Sequence, residues 1–278
     1  MSDRFLLAGV MGYPVMHSRS PRLHNYWMAR YGLSGTYVPL EIESGRLAAA
    51  LRALPALGFS GCNLTIPHKQ AALAVVDTVD PLAKCIGAVN CIVVKEDSSL
   101  AAFNYDAFGF IESVREAQPR WRPDAGPIVV IGAGGGARAV VAGLLEAGAR
   151  EIRLANRTEA RAQALAGEMG AAIAIVPWHE REHALDGAAM LVNTTSQGMQ
   201  GEGELGLSLA PLPRTALVCD IIYIPRETPL LAAARIRGNP TVNGLGMLLH
   251  QARPAFHAWF GIMPEITPEL RAMIEATT

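Results

Sequence analysis

Short apolar runs and amphipathic stretches alternate along this chain of 278 residues. In the first part, apolar runs predict strands near 5–11, 36–42, 61–66, 88–95 and 101–105. Helical spacing predicts helices near 21–31, 45–57, 68–77 and 107–117. Ser20-Pro21 reads as a helix start with proline in the first turn, and Gly58 and Gly61 punctuate the approach to the third strand. The second part predicts strands near 128–131, 151–155, 172–176, 189–193 and 216–221. Helices near 136–147 and 159–169, then shorter helical pieces, fall between them. Two helical stretches, 246–259 and 268–276, close the chain. This alternation predicts parallel sheets with helices on both faces. The turn-rich stretch Gln118–Pro127 has no periodicity and serves as the boundary marker.

Composition narrows the class. Half of the residues are hydrophobic, enough for a large core in one large or two medium domains. Net charge is -1 with both signs interleaved, so nothing points to nucleic acid or to a disordered tail. Cys62, Cys85, Cys91 and Cys219 show no C-x-x-C spacing and read as reduced thiols of a cytoplasmic protein, with no metal site. After Met-Ser-Asp-Arg, the apolar run Phe5–Val10 is short, and Gly12, Pro14 and His17 break the pattern beyond it, so no signal peptide is expected. No apolar stretch reaches the roughly 18 residues of a membrane span.

The first candidate chemistry is a glycine turn. Ile128–Ile131 feeds Gly132-Ala133-Gly134-Gly135-Gly136-Ala137, and a helical pattern runs on as far as Gly148. Gly132, Gly134 and Ala137 fit G-x-G-x-x-G/A, the phosphate turn of a dinucleotide-binding unit. The phosphates would sit at the helix N-terminus, where unpaired N–H groups and the dipole favour negative charge. The next strand ends in Asn156-Arg157-Thr158, with Arg161 beyond and no acid at the tip. That pattern favours a ribose 2′-phosphate, hence NADP over NAD; the alternative is two surface arginines with Asn156 or Thr158 capping a helix. Asn193–Met199 adds a polar loop at a carboxyl strand end.

Polar residues also recur in the first part. Asn63 and Thr65 alternate with apolar neighbours, so both are expected on one strand face. Pro67 starts a helix, and Lys69 falls in its first turn, where the dipole disfavours a cation. Asn104 and Asp106 are expected on one strand face before the next helix, although an isolated Asp there would read as an N-cap.

Taken in order, these motifs resemble the shikimate dehydrogenase family over nearly the whole chain. The matching residues are Ser18-x-Ser20-Pro21, Asn63-x-Thr65-x-Pro67-x-Lys69, Gly87-Ala88-Val89-Asn90 and Asn104-x-Asp106. They continue through the glycine turn, Asn156-Arg157-Thr158, Thr195-Ser196-x-Gly198-Met199, Thr228-Pro229-Leu230-Leu231 and Gly246-Met247-Leu248-x-x-Gln251. The resemblance implies an α/β protein of two domains: an N-terminal α/β substrate domain, residues 1–107 plus 243–278, and a doubly wound Rossmann-type NADP-binding domain, residues 108–242. It implies NADPH-dependent reduction of 3-dehydroshikimate to shikimate, with Lys69 and Asp106 as the catalytic pair. Ser18 and Ser20, helped by Tyr223, would hold a carboxylate. Asn63, Thr65, Asn90, Asp106 and Gln251 would hold ring hydroxyls. Gly132, Gly134, Gly135, Gly136 and Ala137 would hold the cofactor, with Asn156, Arg157, Thr158 and Arg161 at its phosphate end. Thr195, Ser196, Met199 and Gly244 would complete that side.

Two positions depart from the family pattern: Tyr105 replaces the usual threonine between Asn104 and Asp106, and Thr194 replaces a common alanine. Rival readings are a relative acting on quinate or another cyclic hydroxy acid, and a non-catalytic NADP-binding regulator. No membrane or nucleic-acid partner is expected, and the chain would act as a monomer or homodimer.

Overall fold

The structure, a computed structural model, describes residues 5–276. The Met1–Arg4 start considered in the signal-peptide reading and the final Thr277–Thr278 lie outside them. The chain divides into two compact units: residues up to Tyr105 together with those from Leu249 on, and Asp106–Leu248. The sequence reading set the crossings at 107/108 and 242/243.

In chain order, the first unit opens with β1 (Leu6–Gly12), α1 (Ser20–Arg30), β2 (Gly35–Glu41), α2 (Leu47–Ala53), β3 (Phe59–Leu64) and the one-turn α3 (His68–Ala71). It continues with β4 (Thr78–Val79), α4 (Pro81–Ile86), β5 (Cys91–Val94) and β6 (Leu100–Phe103). The second unit holds α5 (Asp106–Ala117), β7 (Ile128–Ile131), α6 (Gly135–Ala147), β8 (Ile152–Ala155), α7 (Glu159–Met169), β9 (Ile173–Val176) and β10 (Met190–Asn193). It ends with β11 (Leu217–Asp220), α8 (Pro229–Arg237) and β12 (Thr241–Val242). The long α9 (Leu245–Phe260) starts in the second unit and finishes in the first, and α10 (Pro268–Glu275) comes last.

The first sheet has the order β2-β1-β3-β5-β6-β4. Its β2, β1 and β3 are parallel, whereas β5 runs antiparallel to both β3 and β6. The expected all-parallel alternation fails here for a physical reason: a parallel return needs a long crossover, and only a tight turn separates β5 from β6. Lys95 N–H bonds to the Ser99 carbonyl at 2.9 Å, with Ser98 at φ 66°. Met11, Leu51, Leu64, Ile92 and Leu100 pack one core of this unit. Ala8, Val10, Tyr37, Ala255 and Trp259 pack another, so α9 supplies part of it.

The second sheet has the order β12-β11-β10-β7-β8-β9, and every pair is parallel. Counted from β7, this is the doubly wound order, with its switch point between β7 and β10. Strands β7, β10 and β11 are buried at every residue, as helices on both faces of a parallel sheet require. The turn-rich Gln118–Pro127 lies inside this unit, not at a boundary. The helix before it packs on the helix after it: a Cβ on Gly143 of α6 would stand 3.1 Å from the Ala107 carbonyl of α5.

Three elements were not expected: β4, α4 and β12. The helix expected over 68–77 is a single turn followed by a short 3-10 turn. Asn104 and Asp106 share no strand face, because β6 stops at Phe103 and Asp106 is the first residue of α5. Thr65 lies just past β3, although its N–H still pairs with the Met11 carbonyl at 2.9 Å.

Candidate active site

The glycine turn sits at the carboxyl end of β7, beside the switch point. Gly132 has φ +113°, a left-handed conformation that side chains rarely adopt. A Cβ there would also meet Thr194 Oγ1 at 2.5 Å. Thr194 is pinned by its own bond to the Ile131 carbonyl at 2.7 Å, so it cannot easily give way. Gly132→Ala should therefore lower stability by about 1–2 kcal/mol and raise the KM for the dinucleotide; thermal denaturation and cofactor titration check both. Gly134 is the N-cap of α6 and makes no side-chain cap bond, and added Cβ atoms on Gly134 or Gly135 would meet nothing within 4 Å. The first turn of α6 thus offers open backbone N–H groups to an anion. Ala137 is fully buried in the core on which α6 packs.

At the end of β8, Asn156 donates to the Thr158 carbonyl at 2.7 Å. Thr158 occupies the N-cap position of α7, as the alternative reading expected, but makes no side-chain cap bond. Arg157 and Arg161 are exposed, and neither forms an ion pair among the described residues. Two exposed cations lie here, and the tip of β8 carries no acid, whereas an NAD site would place one at that tip. The residues present fit NADP.

The loop after β10 is organised by a residue to which the sequence reading gave no role. Asp220, at the end of β11, is 2% exposed and accepts from Asn193 Nδ2 at 3.1 Å, Thr228 Oγ1 at 2.8 Å and Ile222 N–H at 3.0 Å. Burial pushes its carboxyl above the usual range, against these three donors. Asn193 in turn accepts from Thr195 N–H and Thr195 Oγ1, and donates to the Gln197 carbonyl. Asp220 so fixes the loop that carries Thr195, Ser196 and Met199. Its signal in the sequence was an acid closing an apolar strand. Gly244 is constrained by backbone: a Cβ would lie 2.0 Å from the Ile221 carbonyl oxygen.

In the first unit, Asn63, Asn90 and Gln251 are joined by hydrogen bonds, and Ser18 and Ser20 form a pair. Ser20, first residue of α1, donates its N–H to Ser18 Oγ at 3.3 Å. Asn63, at the end of β3, donates Nδ2 to the Asn90 carbonyl at 3.0 Å. Asn90 donates Nδ2 to Gln251 Oε1 at 3.2 Å and accepts the Tyr105 N–H on Oδ1 at 2.9 Å. Asn104 is buried and donates to the Ala88 carbonyl. The departure at Tyr105 is thus a packing feature: its ring lies parallel to Phe103 at 5.8 Å, against the core that Trp259 joins, while its backbone orients Asn90. Lys69 is held on α3 by His68, whose ring Nε2 bonds the Ile42 carbonyl at 2.7 Å. Its own carbonyl accepts the Val89 N–H at 2.8 Å. Asp106, 6% exposed, opens α5 of the second unit, and Tyr223 follows β11 there.

Among the described residues no group of acidic, histidine or cysteine side chains could hold a metal ion, and no helix is long and apolar enough to cross a membrane.

A doubly wound dinucleotide-binding unit, joined in one chain to a mixed-sheet unit bearing linked amides and hydroxyls, defines a class of nucleotide-dependent oxidoreductase. Comparison with known proteins names it more closely. Residues 10–92 match the shikimate dehydrogenase substrate binding domain, 119–205 the shikimate / quinate 5-dehydrogenase family and 244–276 the shikimate 5′-dehydrogenase C-terminal domain. The NADP(+) shikimate dehydrogenase of Paramagnetospirillum magneticum is 54% identical over 274 residues, covering 99% of each chain. Shikimate 5-dehydrogenase of Thermus thermophilus, solved with NADP(H) and shikimate, is 35% identical at a TM-score of 0.86 over 98% of both chains. Quinate dehydrogenase of Corynebacterium glutamicum, solved with NAD, is 31% identical at a TM-score of 0.89, again over 98% of both. The chain belongs to the shikimate dehydrogenase family.

Proposed function

We propose that this protein is an NADP-dependent dehydrogenase that interconverts 3-dehydroshikimate and shikimate, a step toward aromatic amino acids. The observation that carries the reading is the 54% identity, end to end, with an NADP(+) shikimate dehydrogenase. The linked amides and the serine pair of the first unit support it, since such groups suit a ligand with several hydroxyls. A cytoplasmic location, and a monomer or homodimer, belong to the same proposal.

NADP supplies the hydride acceptor or donor when bound. The glycine turn and the first turn of α6 would hold its pyrophosphate, and Arg157, Arg161, Asn156 and Thr158 its 2′-phosphate end. Thr195, Ser196, Met199 and Gly244 would line the rest. Oxidation of a secondary alcohol must also remove a proton from oxygen. Lys69 is the group proposed to take it, and to return it in reduction. By the family resemblance, Asp106 would be the partner of Lys69 and would accept a hydrogen bond from a substrate hydroxyl. Ser18 and Ser20 would bind the carboxylate, with Tyr223 helping by the family resemblance. Ser18 suits that task, because its oxygen already accepts the Ser20 N–H and its proton can turn outward. Asn63, Thr65, Asn90 and Gln251 read the ring hydroxyls.

Initial rates with shikimate and quinate, each with NADP+ and NAD+, test the reading. The highest kcat/KM is expected for shikimate with NADP+; a lead for quinate with NAD+ would move the protein to the quinate branch. Zero turnover with intact NADPH binding would mark a regulator. Arg157→Ala should cut the NADP+ over NAD+ preference by at least roughly 10-fold, the worth of one charge-assisted phosphate bond. An unchanged ratio would remove Arg157 from cofactor selection.

A further inference from the structure

Tyr37 of β2 has no place in the site described so far, yet three independent restraints fix it. It is 1% exposed, and its ring lies on that of His24 of α1, with centroids 4.2 Å apart and planes 8° from parallel. Trp259 flanks it at 5.9 Å. The neighbouring Asn25 clamps its backbone, accepting the Tyr37 N–H at 2.8 Å and donating to the Tyr37 carbonyl at 2.9 Å. The phenol then donates to Asn63 Oδ1 at 2.7 Å, inside the buried interior. Ser20 also hydrogen-bonds this phenol, and burial keeps the hydroxyl protonated by pushing its pKa up.

These bonds leave the Asn63 amide one way round. Its oxygen is taken by Tyr37, and one of its two Nδ2 hydrogens goes to the Asn90 carbonyl. The second hydrogen remains for a ligand, so Asn63 can meet a ligand oxygen as a donor, with one lone pair of its own oxygen already engaged. The same phenol ties Ser20, at the carboxylate end of the proposed site, to Asn63, at its hydroxyl end.

We propose that Tyr37 is a positioning residue for substrate recognition, acting through Asn63 and braced by the His24–Asn25 pair of α1. The proposal rests on the shikimate reading of the site. It extends substrate selectivity to a buried strand residue that meets the ligand only through its neighbours.

Tyr37→Phe tests it, because the ring and its stack remain and only the hydroxyl is lost. The expected result is a roughly 10-fold rise in the KM for shikimate, with kcat within roughly 3-fold and the KM for NADP+ within roughly 2-fold of wild type. In an Asn63→Ala background the same change should alter the shikimate KM by less than roughly 2-fold, since the two residues act as one unit. A wild-type shikimate KM in Tyr37→Phe overturns the proposal. So does a full loss that persists in the Asn63→Ala background, or an equal rise in the NADP+ KM, which would signal general loosening. Wild-type enzyme run alongside separates the two claims. If it fails to turn over shikimate with NADP+, the functional reading falls and takes this inference with it. If it is active while Tyr37→Phe is unaltered, the inference alone falls.

Discussion

Lys69→Ala is expected to lower kcat by at least ~100-fold while the KM for shikimate moves only a few-fold. The direction follows from chemistry: a secondary alcohol cannot become a ketone without a proton acceptor for its oxygen. A placed proton-transfer group contributes about 10²–10⁴-fold. The fold should survive, because α3 is anchored by the His68 ring on the Ile42 carbonyl and by the Lys69 carbonyl on the Val89 N–H. Both anchors remain after truncation of the lysine side chain. Steady-state kinetics in both directions, with a matching circular dichroism spectrum, make the check. A near-normal turnover number would take Lys69 out of the mechanism.

His24→Phe is expected to flatten the acid limb of stability. His24 is fully buried among Trp27, Tyr37, Phe256 and Trp259, and neither ring nitrogen has a hydrogen-bond partner among the described residues. Burial pushes its pKa down to about 3 in the folded chain, from about 6.5 when unfolded. The folded-state value is depressed, so below about pH 6.5 the unfolded chain binds a proton that the folded chain refuses. Stability is complete above that pH and falls as pH drops toward 3. Between pH 6.5 and 4.5 the loss from this residue is about 2 kcal/mol. Phenylalanine keeps the aromatic stack and removes the proton site. Urea unfolding of both proteins at several pH values reads the difference, which should grow by that amount across the interval. Parallel curves would mean that His24 charges freely in the native protein.

The second unit was the more legible half. Its strands β7–β11 and helices α6 and α7 lie within one residue of their expected bounds. There, largely apolar strands alternate with helices that Gly148 and Gly170 end. The elements missed elsewhere had reasons. β4 and β12 are two residues long, too short to carry a period. For α4 the signal was present and unused: Asp80 caps Leu82 and Ala83, Pro81 follows, and Gly87 closes at φ 68°. The antiparallel turn at β5–β6 was hidden because an apolar run carries no direction.

Of the site, the glycine turn and the two arginines were readable from spacing. Asp220 and Tyr37 were not, because each works through bonds to residues far off in sequence. Lys69 could oppose a helix dipole only on a helix of some length, and α3 is a single turn. The lysine's proposed role rests on the family pattern, and the kinetics of Lys69→Ala test it.

The path of α9 has a consequence for synthesis. The first-made unit draws Ala255 and Trp259 into its core, and Trp27 donates to the Glu265 carbonyl. A ribosome therefore releases a complete Asp106–Leu248 unit before the earlier-translated residues have all their partners. The nascent amino-terminal half must wait, with part of its apolar interior uncovered, for residues 255–265 to emerge.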